Sequence, residues 1–187
     1  MTYPRAEPGH GWRNLGEKPV VDTPWFRLNL ADVELPGERR LDHYVLRVPP
    51  IVATAIIDDQ ERVLLLWRHR FIPDSWGWEL PSGIADPDED LVAAASRQAL
   101  AESGWEPVAP RLLLTIEPYS GLTDSVEHIY WTEQVVYRGE PAADFEAERI
   151  DWIPVAAIPA MVADGQVRSA GTAAGLLALW HQRARRA

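Results

Sequence analysis

The chain contains no cysteine. That excludes a disulfide framework and any thiolate-bound metal, and it fits a cytoplasmic protein. No apolar run approaches the ~18 residues of a membrane span, so no span is expected. The stretch from Met1 to Arg13 carries proline, glycine and charge but no apolar centre. It does not read as a secretory signal, and a mobile arm is expected over residues 1–20. Positive charge is scarce: 18 Lys and Arg stand against 28 Asp and Glu, for a net charge of -10. Nucleic acid is therefore not the expected partner, because phosphate contacts need a basic surface. A small phosphorylated substrate stays open if a metal ion or a local basic cluster offsets the repulsion. There is no internal repeat, no low-complexity stretch and no second domain boundary, so 187 residues read as one domain. Tryptophan, in contrast, is plentiful at nine residues. Most should serve a core or an interface, with one or two free to stack on a base or sugar.

Along the chain, Phe26 to Leu35 and Leu41 to Val48 alternate apolar and polar around the turn Pro36-Gly37, which predicts an N-terminal antiparallel hairpin over residues 21–50. Ile51 to Ile57 is continuously apolar and predicts a central buried strand. Across the polar turn 58–62, Val63 to Trp67 is expected to pair with it as a hairpin within the main sheet. Arg68-His69-Arg70 follows directly, the strongest local basic cluster. It reads either as a solvated strand end or as a place where an arginine fork meets a substrate phosphate. Further strands are expected over 108–117, 126–137 and 149–153, with a polar connection over 138–147. Helices are expected over 155–164, despite Pro159, and over 170–185 with basic residues in the last turn. Interleaved strands and helices around one core predict an α/β layered fold.

The stretch from Trp76 to Trp105 organises the rest. Asp86, Pro87 and Glu89 read as a helix start, Leu91 to Ala101 is rich in Ala and Leu, and Gly104 is a helix stop. Gln98 and Glu102, four apart, share one helical face. Gly83, Glu89, Arg97, Glu102, Gly104 and Trp105 fall in the register Gly, five residues, Glu, seven residues, Arg-Glu-apolar-any-Glu-Glu-any-Gly-apolar. This resembles the Nudix box, and Trp78-Glu79-Leu80-Pro81-Ser82-Gly83 resembles the approach to the box in the ADP-ribose pyrophosphatase branch. Two positions depart: Gln98 and Ala101 stand where the pattern has glutamates.

The resemblance, which covers roughly residues 51–180, implies a mixed sheet sandwiched between helices and a Mg2+- or Mn2+-dependent hydrolysis of a nucleoside diphosphate derivative, of the ADP-ribose or nucleotide-sugar type. It implies a metal site at Glu102, Gln98 and the Ser82 carbonyl, and a homodimer built on the N-terminal strands. Because Mg2+ is commonly held by about one or two carboxylates plus substrate oxygens, one metal is compatible with this reduced set and a cluster is not. Arg97 would pair with Glu89 or Glu102. Arg68 and Arg70, with Glu79 and Tyr119, are the candidate substrate contacts. Since Gln98 cannot act as a base, Asp124 or Glu127 would activate the water, or the metal itself would. Asp124 also reads as a turn cap. The alternative is a Nudix-fold protein that binds a nucleotide-like ligand without turnover, or that serves other chemistry. A third carboxylate converging on the Glu102 face would favour hydrolysis.

Overall fold

The computed structural model describes residues 11–143 and 146–185. The first ten residues of the expected arm lie outside that range, as do two residues of the 138–147 connection. The chain divides into two units, one taking the chain up to Pro49 together with Tyr119–Ser125, the other Pro50–Pro118 and Val126 onward.

In the first unit, β1 (Arg13–Asp22), β2 (Arg27–Glu34) and β3 (Arg40–Arg47) form an antiparallel sheet in that order. The expected hairpin is β2–β3. Gly37 takes φ 79° at its turn, and the Leu35 N–H donates to the Arg39 carbonyl at 2.8 Å. Residues 13–20 of the expected arm instead belong to β1 and pair along β2. That strand is exposed nearly throughout, so no apolar alternation marks it in the sequence.

The second unit contains a four-stranded sheet of β7 (Ser82–Ile84), β4 (Ile51–Ile56), β10 (Glu127–Thr132) and β9 (Arg111–Ile116), in that spatial order. β4 and β10 run parallel, and the two outer pairings are antiparallel. A parallel pair needs a long crossover, and that crossover carries α1 (Leu91–Ser103). Alternate residues of β4 serve opposite layers, as strand geometry requires. Val52 packs with Ala94 and Ala95 of α1, Ile56 with Ala99, and Thr54 Oγ1 donates to the Ala95 carbonyl. Ala53 and Ala55 instead share a cluster with Leu176 and Leu179 of α3 (Ala170–Ala184). Both faces are covered, which is why this stretch of sequence is apolar without alternation.

A separate antiparallel sheet has the order β12 (Arg149–Pro154), β5 (Arg62–Arg70), β6 (Ser75–Glu79). The expected β4–β5 hairpin within one sheet is therefore not formed. A single bridge, Ile57 to Val63, joins the two strands among the described residues. The Asp58 carboxylate gathers the N–H groups of Gln60 and Arg62 and the Arg62 guanidinium. The turn is thus tight, but each strand then finds other partners on both edges.

The strand expected over 126–137 is broken after Thr132, whose hydroxyl donates to the Val108 carbonyl at 2.9 Å and accepts from the Gln134 N–H at 3.0 Å. The remainder, β11 (Val135–Tyr137), pairs with β8 (Trp105–Pro107). A 3-10 turn at Val155–Ala157 leads into α2 (Ile158–Ala163). Pro159 sits in its first turn, where a missing N–H costs nothing. The helix start expected at Asp86 is displaced: the N-cap of α1 is Asp90, whose side chain accepts from the N–H groups of Val92 and Ala93. Gly104, with φ 74°, ends the helix as expected. No helix of the described residues is long and apolar enough to cross a membrane.

Candidate active site

β5 leaves the apolar core after Leu66, and its period of two turns Arg68 and Arg70 to one face and His69 to the other. His69 Nε2 meets Asp74 at 3.0 Å, and its ring lies 5.1 Å from that of Trp76. Arg68 is 2% exposed, so its charge must be met inside the protein. Its Nη2 donates to Glu102 Oε2 at 2.7 Å, and its Nη1 reaches Glu102 Oε1 and Glu146 Oε2, each at 3.3 Å. Arg70, on the same face, grips Glu79 with Nε at 3.0 and 3.1 Å and Nη2 at 2.5 Å.

Glu102 projects from the last turn of α1 and is 4% exposed. Beside the Arg68 fork, it accepts the Ser82 N–H at 3.0 Å, which fastens the box helix to β7. Burial pushes its carboxyl up, against the downward pull of Arg68 and Ser82. Gln98 donates Nε2 to the Ile84 carbonyl at 3.0 Å and lies flat over Gly83. A Cβ at Gly83 would run into that amide, so glycine at this position is a matter of space. Arg97 pairs with Glu89 and not with Glu102, at 2.8 and 2.7 Å. Glu89 also accepts the Asp86 N–H. The Arg97 hydrogen bond holds the Glu89 carboxyl down at about 2. This exposed latch ties α1 to the loop before it.

Glu127, at the start of β10, is 8% exposed, and its side chain has no hydrogen bond or ion pair among the described residues. Its carboxylate rests against Gly171 in the first turn of α3, where a Cβ would collide with it. Burial raises its pKa first, and the charge of Glu79 raises it further. In the other unit, Asp124 accepts from Arg47 Nη1 at 3.0 Å and from the Val48 N–H at 3.2 Å. Tyr119 in the same loop is 65% exposed, and its carbonyl accepts the N–H groups of Leu122 and Thr123.

The structure thus brings together Arg68, Arg70, Glu79, Ser82 and Glu102, sets Glu127 beside Glu79, and lays Gln98 over the box glycine. Glu89 and Arg97 form their own pair, and Asp124 and Tyr119 belong to the first unit. Two participants had no sequence signal. Glu146 lies in a polar connection without a motif, and Gly171 sits in a helix start where glycine is unremarkable.

Among the described residues, no group of three or more His, Asp or Glu side chains is arranged to hold a metal ion. At the box positions that resemble metal ligands, Glu102 supplies one carboxylate and Ala101 none. Gln98 bonds the Ile84 carbonyl through Nε2, and among the described residues no donor meets its Oε1. Among the described residues this set thus offers a divalent cation one carboxylate and no group of three ligating side chains.

Comparison with known proteins bears on the family and the fold. Residues 47–171 match the NUDIX domain family, and residues 12–46 match the nucleoside diphosphate sugar hydrolase N-terminal domain. A curated relative from Streptomyces rubellomurinus, "CMP-5'-(N-acetyl-N-hydroxy-3-aminopropyl)phosphonate hydrolase", is 38% identical over 168 residues, 90% of this chain and 82% of that one. The "Methanol dehydrogenase activator" of Bacillus methanolicus is 25% identical over 127 residues, 68% of this chain and 69% of that one. A solved structure of an "ADP compounds hydrolase" superposes with a TM-score of 0.83 at 17% identity, covering 97% of this chain and 98% of the other, which speaks to the fold alone. The chain therefore belongs to the NUDIX family, as a Nudix-type pyrophosphohydrolase.

Proposed function

We propose that the chain hydrolyses the phosphoanhydride bond of a nucleoside diphosphate derivative, of the ADP-ribose or nucleotide-sugar type, with Mg2+ or Mn2+ as cofactor. The observation that carries this reading is the buried Arg68, with Glu102 at 2.7 Å and Glu79 at 3.8 Å, and Glu127 near enough to Glu79 for that charge to raise its pKa. Glu79 and Glu127 are the further carboxylates that a reduced box would need. The relative named for a CMP-linked phosphonate supports a substrate in which a nucleotide phosphoryl group is joined to a second phosphorus acid.

Glu127 is the proton acceptor in this reading. It is buried, lacks a cationic partner and has a raised pKa, the environment that suits a general base near neutral pH. Asp124 is less suited, since Arg47 and the Val48 N–H already occupy its oxygens. One water proton passes to Glu127 as the water oxygen bonds to phosphorus. The bridging P–O bond breaks, and its electron pair leaves with the departing phosphoryl group. Two acidic phosphoryl products result, and the proton held by Glu127 returns to solvent. Arg70, 49% exposed at its side chain, is the arginine placed to meet a substrate phosphate, while Arg68 serves Glu102. A divalent ion held by Glu102, with Gln98 Oε1 and the Ser82 carbonyl, would supply neutralising charge for the phosphate oxygens.

The exposed apolar residues of the first unit, among them Leu15, Val20, Val21, Trp25 and Phe26, support a homodimer formed through that sheet. The lack of cysteine is in keeping with a reducing, cytoplasmic setting.

The test is product release from a panel of ADP-ribose, nucleotide sugars, dinucleoside polyphosphates, nucleoside triphosphates and a CMP-linked phosphonate, with Mg2+ or Mn2+ and then with EDTA. Turnover that EDTA stops is expected. Retained binding without turnover on any compound would replace the hydrolase reading with that of a binding module.

A further inference from the structure

α3 turns two glycines toward β10. A Cβ on Gly171 would stand 2.0–2.2 Å from the carboxyl atoms of Glu127, and one on Gly175 would stand 2.9 Å from Ile129 Cγ2. Residues four apart share a helix face and residues two apart share a strand face, so the two contacts repeat one arrangement. They differ in what the glycine meets. At Gly175 it is an aliphatic side chain of the main core. At Gly171 it is a buried carboxylate whose side chain has no hydrogen bond or ion pair among the described residues.

Backbone geometry does not call for glycine at 171. The residue is helical and its φ lies outside the left-handed region, so alanine fits the chain there and would favour the helix. What glycine provides is room. Nor can the helix back away to make that room. Thr172 Oγ1 accepts the Leu80 N–H at 3.2 Å, and Leu176 and Leu179 are fully buried in the main core. Of the two partners, the end of the flexible Glu127 side chain is the one free to yield. Widening its contact from 2.0 Å to an ordinary 3.4 Å moves the carboxylate by about 1.4 Å.

Little else defines the place where that carboxylate stands. The register partners of Glu127 on β4 and β9 are Ile51 and Ile116, and Ala170, Gly171 and Thr172 carry no charge. His128 lies on the opposite strand face, toward Thr115. The charge that reaches Glu127 is that of Glu79, which is itself gripped by Arg70. Leu80, held by Thr172, is the residue after Glu79. The first turn of α3 therefore touches both segments that carry these two acids.

We propose that Gly171 is a positioning residue for the proton acceptor: its missing side chain makes the seat of the Glu127 carboxylate, and the first turn of α3 fixes where that carboxylate stands beside Glu79. This rests on the hydrolase reading above and adds a residue to it. Alanine at this position suits the helix and disables the base.

The experiment compares Gly171→Ala with Gly175→Ala in the full chain. Each variant is followed by thermal unfolding, by the pH dependence of kcat and KM on a compound of the panel that is turned over, and by heteronuclear NMR titration of the Glu127 carboxyl, assigned with Glu127→Gln. Gly171→Ala should lower kcat about 10²-fold, the loss that a misplacement of about 1 Å brings, with KM little changed. Burial is the first cause of the raised Glu127 pKa. Out of its seat the carboxyl should titrate closer to an ordinary glutamate, and the acid limb of the rate profile should move to lower pH. Gly175→Ala should lose thermal stability and keep the wild-type acid limb and Glu127 titration. An unchanged Glu127 titration in Gly171→Ala overturns the proposal. So does an equal loss of kcat in both variants with the acid limb unmoved, which would reduce both glycines to packing. Should Gly171→Ala not fold, the same substitution is made in Glu127→Ala, where no carboxylate stands in its way. There it should raise the unfolding midpoint by about 1–4 °C, and no rise would mean that room for the carboxylate is not what glycine provides. Turnover on the panel is scored separately. Its absence sinks the hydrolase reading, while the Glu127 titration still decides whether Gly171 makes the seat.

Discussion

Glu102 and Glu127 are both buried acids, yet they should respond oppositely to neutralisation. Glu102→Gln leaves Arg68 buried without its main counter-charge, and breaking such a pair costs about 3–5 kcal/mol. Denaturant unfolding should register that loss. Glu127 has no cation to strand. Its folded-state pKa is raised by burial and then by Glu79. The protonated form is thus favoured in the fold, and the contribution to stability is present at low pH and lost as pH rises through the raised pKa. Glu127→Gln should therefore raise the unfolding midpoint at pH 7 more than at pH 4, while turnover falls by about 10²–10⁴-fold. An unchanged rate would remove Glu127 from the chemistry. In the wild type, the same ionisation sets the acid limb of the rate profile: activity falls as pH drops through the raised Glu127 pKa. At Gly83 the constraint is space, and Gly83→Ala must displace the Gln98 amide, at the cost of its hydrogen bond to the Ile84 carbonyl, about 0.5–1.5 kcal/mol.

α1 depends on its two ends. Asp90→Ala removes the acceptor for the N–H groups of Val92 and Ala93 and should cost about 1 kcal/mol in thermal unfolding. The box pattern, the helix and its glycine stop were legible in the sequence because spacing and propensity are local. The position of the cap was not. Asp86-Pro87 reads as the start, but the cap is Asp90, while Glu89 turns back to the Asp86 N–H and to Arg97. The β4–β5 relation was misread for a related reason: an apolar run shows that a strand is buried but not which strand lies on each edge. Likewise, the sequence placed Arg68 and Arg70 near the box but could not show which of them would turn inward, since Glu102 and Glu146 lie 34 and 78 residues away.

Taken whole, the molecule is an acidic body with a net charge of -10 and an anionic candidate substrate. Their long-range interaction is repulsive, so added salt should not slow encounter. Between about 0.02 and 0.15 M salt, where the Debye length shortens to about 8 Å, kcat/KM should hold or rise. A steep fall would mean that the local arginines dominate the field. The site is also distributed along the chain. Glu127 finds its seat only against Gly171, in the first turn of α3, 44 residues later by their numbers. A ribosome adding about 5–20 residues per second needs roughly 2–9 s to span that distance. The box segment is therefore synthesised well before the helix that buries the Glu127 carboxylate.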